Sequence, residues 1–256
     1  MAGEKTIQSV EEYLEVIKAN KKRNTDAGNM EDFLFRGQKD DFPLVPKIAR
    51  LKPKEDLFST ERLLLHEFKR TNFLLIDTQR PLDDWDYLTI GQHFGLPTRL
   101  LDWSNNALTA LWFAIWEENP ERKTCKNAIV WILMPEANDF NLDTDAVHPF
   151  DIQETKIFRP RIIKQRINNQ SGVFCIQPAA EIEKKIALND AESFKNKLFK
   201  IKIPFEKFQE IRTDLNTLGV NAFTIFPELE GLCSHLQWRY FYTDKNSIAE
   251  AKSLIE

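Results

Sequence analysis

The stretch from Asn105 to Glu117 (NALTALWFAIWEE) constrains the fold more than any other part of the chain. Leu108, Ala110, Leu111, Phe113, Ala114 and Ile115 nearly encircle a helix drawn on it, and a helix that is apolar all round must be covered all round. It belongs in the middle of a packed structure. Close behind it, Ala128 to Met134 (AIVWILM) reads as a strand with apolar residues on both faces, the pattern of an interior position in a sheet. A central helix followed by an interior strand needs a substantial core. Hydrophobic residues make up 42% of the 256, and 19 Phe and 6 Trp bring large rings to fill that core.

The other elements follow from periodicity and punctuation. Ser9 with Glu12 fits a capping box, and Val10, Tyr13, Leu14 and Ile17 then recur at helical spacing, so a first helix is expected to about Lys21. Phe33-Leu34-Phe35 reads as a strand halted by Gly37. A helix from Ser59 to about Phe73 carries Leu63, Leu64 and Phe68 near one face, and another from Asp84 to Phe94 runs into the turn Gly95-Leu96-Pro97. Thr98 to Trp103 and Gly172 to Ile176 read as strands. Ala180 to Lys197 is charged and reads as surface. Leu198 to Ile203 alternates strictly, which predicts a strand with one face in water. Pro204 to Leu218 reads as a helix stopped by Gly219, Ala222 to Phe226 as a short strand, Gly231 to Tyr242 as a last core helix, and a small helix is expected from about Ser247. Repeats, low-complexity tracts and linkers are missing. The expectation is one α+β domain over residues 1–256, with its core at about 10–242 and a mixed, mostly antiparallel sheet flanked by helices.

Charge and cysteine usage narrow the function classes. A net charge of −4 and a pI near 5.7 argue against nucleic-acid binding by bulk charge, although a local basic groove stays open. Cys125, Cys175 and Cys233 are odd in number and far apart, so neither a disulfide framework nor a metal site is expected. No apolar run approaches the roughly 18 to 20 residues that span a bilayer. The first residues are acidic in part and lack an apolar core, so a cytoplasmic protein without a leader is expected.

Three stretches set polar residues among apolar ones, and such mismatches tend to mark functional sites. In Phe35-Arg36-Gly37-Gln38, Arg36 at a strand end offers a fork of donors suited to carboxylate or phosphate, and Gly37 would let backbone approach a ligand. The structural alternative for Arg36 is an ion pair with Asp102 or Glu230. In residues 91–103 (GQHFGLPTRLLDW), Gln92, His93, Thr98, Arg99 and Asp102 lie within eleven residues. Strand alternation would put Leu100 with Asp102 on one face and Arg99 with Leu101 on the other. Asp102 could equally cap the apolar helix that follows. In Phe226-Pro227-Glu228-Leu229-Glu230-Gly231, two carboxylates precede a helix. They either complement its dipole or act on a hydroxyl and a developing cation.

Together these stretches resemble the FRG family, named for the triplet present here as Phe35-Arg36-Gly37. Residues 91–103 look like that family's second hallmark, and the helix Asn106–Ala114, the run Asn169-Gln170-Ser171-Gly172-Val173-Phe174 and Phe226–Gly231 also fit. The resemblance implies a protein of bacterial or phage conflict systems, and it adds Gln170 to the candidate ligand residues. A second resemblance is to the ADP-ribosyltransferases, which hold NAD with an aromatic-Arg-Gly strand end, a strand followed by an Ala-x-x-Phe-Ala-like helix, and a late Glu-x-Glu. Phe35-Arg36-Gly37, Thr98–Ser104 with Ala110–Ala114, and Glu228-Leu229-Glu230 occur in that order. Two features depart from that pattern: Arg99 and Asp102 stand where those enzymes favour a Ser-Thr-Ser run, and the Glu pair enters a helix.

The second resemblance implies a split sheet and an NAD-using transferase or glycohydrolase, with Glu230, Glu228 and Arg36 in catalysis. Arg36, Gly37, Gln38, Gln92, His93, Thr98, Arg99, Asp102 and Gln170 would hold the cofactor, without metal, and the acceptor would be a protein or nucleic acid. Two alternatives stand beside it: a non-catalytic module for a nucleotide or other small signalling ligand, and a nucleic-acid-directed enzyme such as a nuclease.

Overall fold

The computed structural model of the chain describes residues 3–71, 81–116, 127–140, 142–161 and 172–242. The first half runs β1 (Gly3–Thr6), α1 (Val10–Asp26), β2 (Leu34–Gln38), α2 (Leu57–Thr71), α3 (Asp84–His93), β3 (Leu100–Ser104) and α4 (Ala107–Ile115). The second runs β4 (Asn127–Leu133), β5 (Lys156–Phe158), β6 (Gly172–Ile176), α5 (Ala179–Glu183), β7 (Leu198–Pro204), α6 (Phe208–Thr217), α7 (Ala222–Ile225) and α8 (Leu229–Phe241). The strands form one seven-stranded sheet in the order β1-β7-β4-β2-β3-β6-β5. β1 runs parallel to β7 and every other pair is antiparallel. This is the mixed, mostly antiparallel α+β domain expected.

β4 shows why the pattern around it was so apolar. Ala128, Val130 and Ile132 face a core built with α4, α1 and α6, while Ile129, Trp131 and Leu133 face a second core with Leu101, Trp103 and Phe194. A strand between two cores has no polar face. α4 fills the first core, with Ala110, Leu111, Trp112 and Ala114 each about 1% exposed or less. Its cap is Asn106, whose Oδ1 accepts from the N–H groups of Leu108 and Thr109 at 3.0 and 3.1 Å. Ser104 still belongs to β3, and its Oγ accepts from Asn106 N–H at 3.0 Å.

Several expectations change. β2 runs through Gly37 to Gln38 rather than stopping there. A Cβ on Gly37 would stand 2.0 Å from the Ala110 carbonyl oxygen and 2.6 Å from Ala114 N, so the glycine admits α4 onto the strand. α1 continues past Lys21 to Asp26, with its Asn20 amide bonded to the Val16 carbonyl. Ala222–Ile225 is a helix and not a strand. Asn221 and Thr224 form a reciprocal capping box, and this local hydrogen bonding outweighs the β-propensity of the segment.

The last helix starts at Leu229, two residues before Gly231. The charged stretch expected at the surface buries Ile182, Ala187, Leu188, Ala191 and Phe194. On α2 the inward residues are Glu61 and Leu65, and Leu63 turns out to solvent. β1 and β5 were not anticipated, being only 4 and 3 residues long. The helix expected from Ser247 lies outside the described residues.

Candidate functional site

The site forms where the sheet is least closed. β2 and β3 share a single residue pair, Phe35 with Ser104, although β2 pairs with β4 and β3 with β6 over five residues each. Beyond that pair the two strands part. The Arg36 side chain spans the opening, and its Nη1 donates to the Asp102 carbonyl at 2.8 Å and lies 3.5 Å from Asp102 Oδ2. The side chain thus takes the place of a missing ladder bond.

From Asp102 a chain of hydrogen bonds runs into α3. Gln92 Nε2 donates to Asp102 Oδ2 at 2.8 Å, the Thr98 hydroxyl donates to Gln92 Oε1 at 2.7 Å, and Leu100 N–H donates to Thr98 Oγ1 at 3.1 Å. Each bond fixes the next. With its oxygen held by Thr98, Gln92 can turn only its NH₂ toward the carboxylate. On the other side of Arg36, Trp131 Nε1 donates to Gln38 Oε1 at 3.0 Å.

Electrostatics follow from this placement. The Arg36 side chain is 17% exposed and the Asp102 side chain 54%. Burial pulls the Arg36 guanidinium below its ordinary pKa, neighbouring Asp102 opposes that pull, and Arg50 adds to it. Arg36 Nε is buried and finds no acceptor among the described residues, so the guanidinium has donor capacity beyond Asp102.

A cavity of about 410 Å³ occupies the opening, within the roughly 300–1,000 Å³ range of small-molecule sites. Consecutive residues of both strands line it: Arg36, Gly37 and Gln38, and Asp102, Trp103 and Ser104. On closed strands such neighbours point to opposite faces. One cavity meets both faces only because it sits in the gap. Lys39, Gln92 and His93 extend the polar side. The other side is aromatic: Phe226 lies 5.9 Å from Phe113 and 6.2 Å from Trp116 between ring centres, and Trp112 stacks behind Trp116 at 5.3 Å.

The structure thus brings together Arg36, Gly37, Gln38, Gln92, His93 and Asp102 around one cavity. Thr98 is fully buried and acts on the site through Gln92. Gly37 lines the cavity, yet its lack of a side chain is spent on α4 rather than on approach to a ligand. Asp102 does not cap α4, since Asn106 does.

Arg99 sits elsewhere. It lies at a bend before β3 begins, so strand alternation does not reach it. Its guanidinium, 1% exposed, is forked onto Glu61 of α2 at 2.5 to 3.1 Å and packs 4.8 Å from the Phe150 ring. Glu228 and Glu230 are exposed at the start of α8 and are not part of the cavity lining. Gln170 lies outside the described residues. The aromatic wall was the part that sequence reading missed, together with Lys39, Thr89 and Ser104. Its signal was the three-residue spacing of Phe113 and Trp116, which puts both on one face at the end of an otherwise buried helix.

Fold and cavity together define an α+β protein with a cavity of small-molecule size set into an opening of its sheet. Residues 31–123, from just before β2 to just beyond α4, match the FRG domain, which supports the FRG family. Comparison with curated proteins and with solved structures returns no match. The likeness to ADP-ribosyltransferases gains no support from these comparisons.

Proposed function

We propose that the cavity binds a nucleotide, with NAD the first to be tried. One observation carries the reading: a bonded Arg36–Asp102–Gln92 chain faces an aromatic wall of Phe113, Trp116 and Phe226 across a cavity of about 410 Å³. Rings of that wall suit a planar base or nicotinamide. Arg36 and Lys39 suit phosphate, and the half-exposed Asp102 carboxylate suits ribose hydroxyls.

Cleavage of the nicotinamide–ribose bond would require a carboxylate beside the developing oxocarbenium. Among the described residues Asp102 is the carboxylate that lines the cavity, so it takes that role ahead of Glu230 and Glu228. Binding without turnover is the second reading. It is favoured by the engagement of Asp102 with both Gln92 and Arg36, which makes it a fixed recognition group.

Calorimetric titration with NAD, run beside a nicotinamide-release assay, tests both. Wild type should bind, Arg36→Ala should bind at least tenfold more weakly, and Glu228→Gln and Glu230→Gln should bind like wild type. Release that Asp102→Asn abolishes selects the enzyme, and binding without release selects the module. Absence of binding rejects NAD.

A further inference from the structure

Helix α8 buries one side and leaves an apolar stripe on the other. Gly231 and Trp238 face the body of the protein, and a Cβ on Gly231 would stand 1.9 Å from the Phe226 carbonyl oxygen. On the far side Leu229, Cys233, Leu236 and Tyr240 recur at spacings of four, three and four residues, which aligns them along the helix. Leu229 is 79% exposed, Leu236 41% and Tyr240 44%, and Cys233 is exposed as well. Isolated exposed apolar residues are ordinary, but an aligned row on one helix face marks a contact surface.

The row is symmetric about the point between Ser234 and His235. Leu229 and Tyr240 lie equally far from it, as do Cys233 and Leu236. The charges are polar along the same axis, with Glu230 in the first turn and Arg239 in the last. An identical helix laid antiparallel across this face would set Leu229 against Tyr240 and Cys233 against Leu236. It would also bring the acidic end of each copy to the basic end of the other, and oppose the helix dipoles favourably.

We infer that α8 is the self-association surface of this chain, pairing antiparallel with α8 of a second copy about a two-fold axis. Such an interface is isologous, so one self-complementary patch suffices. The axis passes near Cys233, which brings the Cys233 residues of the two copies within disulfide reach of each other.

Sedimentation equilibrium of the full chain between micromolar and hundred-micromolar concentrations is the test. The expected result is a species of twice the 30.0 kDa chain mass, reduced to monomer by Leu236→Glu with its circular dichroism and melting temperature kept. Mild oxidation with copper-phenanthroline should then cross-link wild type and Cys125→Ser but not Cys233→Ser. A monomer at every concentration overturns the inference, and so does a dimer indifferent to Leu236→Glu. A dimer that Leu236→Glu dissolves but that never cross-links through Cys233 overturns the antiparallel arrangement.

Discussion

Arg36 and Arg99 sit in similar sequence surroundings and have opposite fates. Arg36 reaches across a gap in the sheet and keeps one side toward a cavity, whereas Arg99 is enclosed and forked onto Glu61, itself 3% exposed. Removing one partner of a buried pair strands the other charge, so Arg99→Ala should lose about 3–5 kcal/mol in urea unfolding. The double variant Arg99→Met with Glu61→Leu should recover much of that, because no charge is then left buried.

Asp84 makes a second prediction at this scale. Burial raises its pKa, but hydrogen bonds and charge from Lys69 and His148 outweigh that and hold it below the ordinary 3.8. A depressed folded-state pKa stabilises the protein above the ordinary value, and the contribution fades as pH falls through and below it. Asp84→Asn should therefore lower the melting temperature at pH 7 and make it fall less steeply in acid below about pH 4.

Gly37 sets the relation between strand and helix. With 2.0 Å between its would-be Cβ and the Ala110 carbonyl oxygen, Gly37→Ala must push α4 off β2. A cost of about 1–3 kcal/mol is expected, the range for overpacking. The displacement should also be felt in the cavity, which has β2 on one side and Phe113 and Trp116 of α4 on the other. Fluorescence of the tryptophans should change in Gly37→Ala even where the protein stays folded. The short helices teach a related lesson: α7 forms because Asn221 and Thr224 cap it, and its residues alone would have favoured a strand.

Across the whole molecule, the sheet is two tightly laddered halves, β1-β7-β4-β2 and β3-β6-β5, joined at one residue pair and by the Arg36 bridge. A ligand bound in the gap, as proposed, would contact both halves. At one hundred times its dissociation constant it would add about 2.7 kcal/mol, raising the melting temperature of a chain this size by about 5 to 10 °C. At the same ligand concentration Arg36→Ala, binding at least tenfold more weakly, should show about half that rise or less, as scanning calorimetry would show.

Much of this protein is written in local pattern. The encircled helix at α4, the two-faced strand at β4 and the alternation of β7 follow from apolar periodicity, because burial depends on which faces are covered. The residues Arg36, Gln92, His93 and Asp102 could be singled out because polar groups amid apolar ones need a reason to be there. Tertiary structure decided what local pattern does not encode. It parted β2 from β3 and so gave Arg36 and Asp102 a common cavity, and it turned Glu61 inward and so removed Arg99 from that cavity. It also left Glu228 and Glu230 outside the lining. The physical reason is the same throughout: a side chain's chemistry is fixed by its residue, but its partner is fixed by which distant element packs against it.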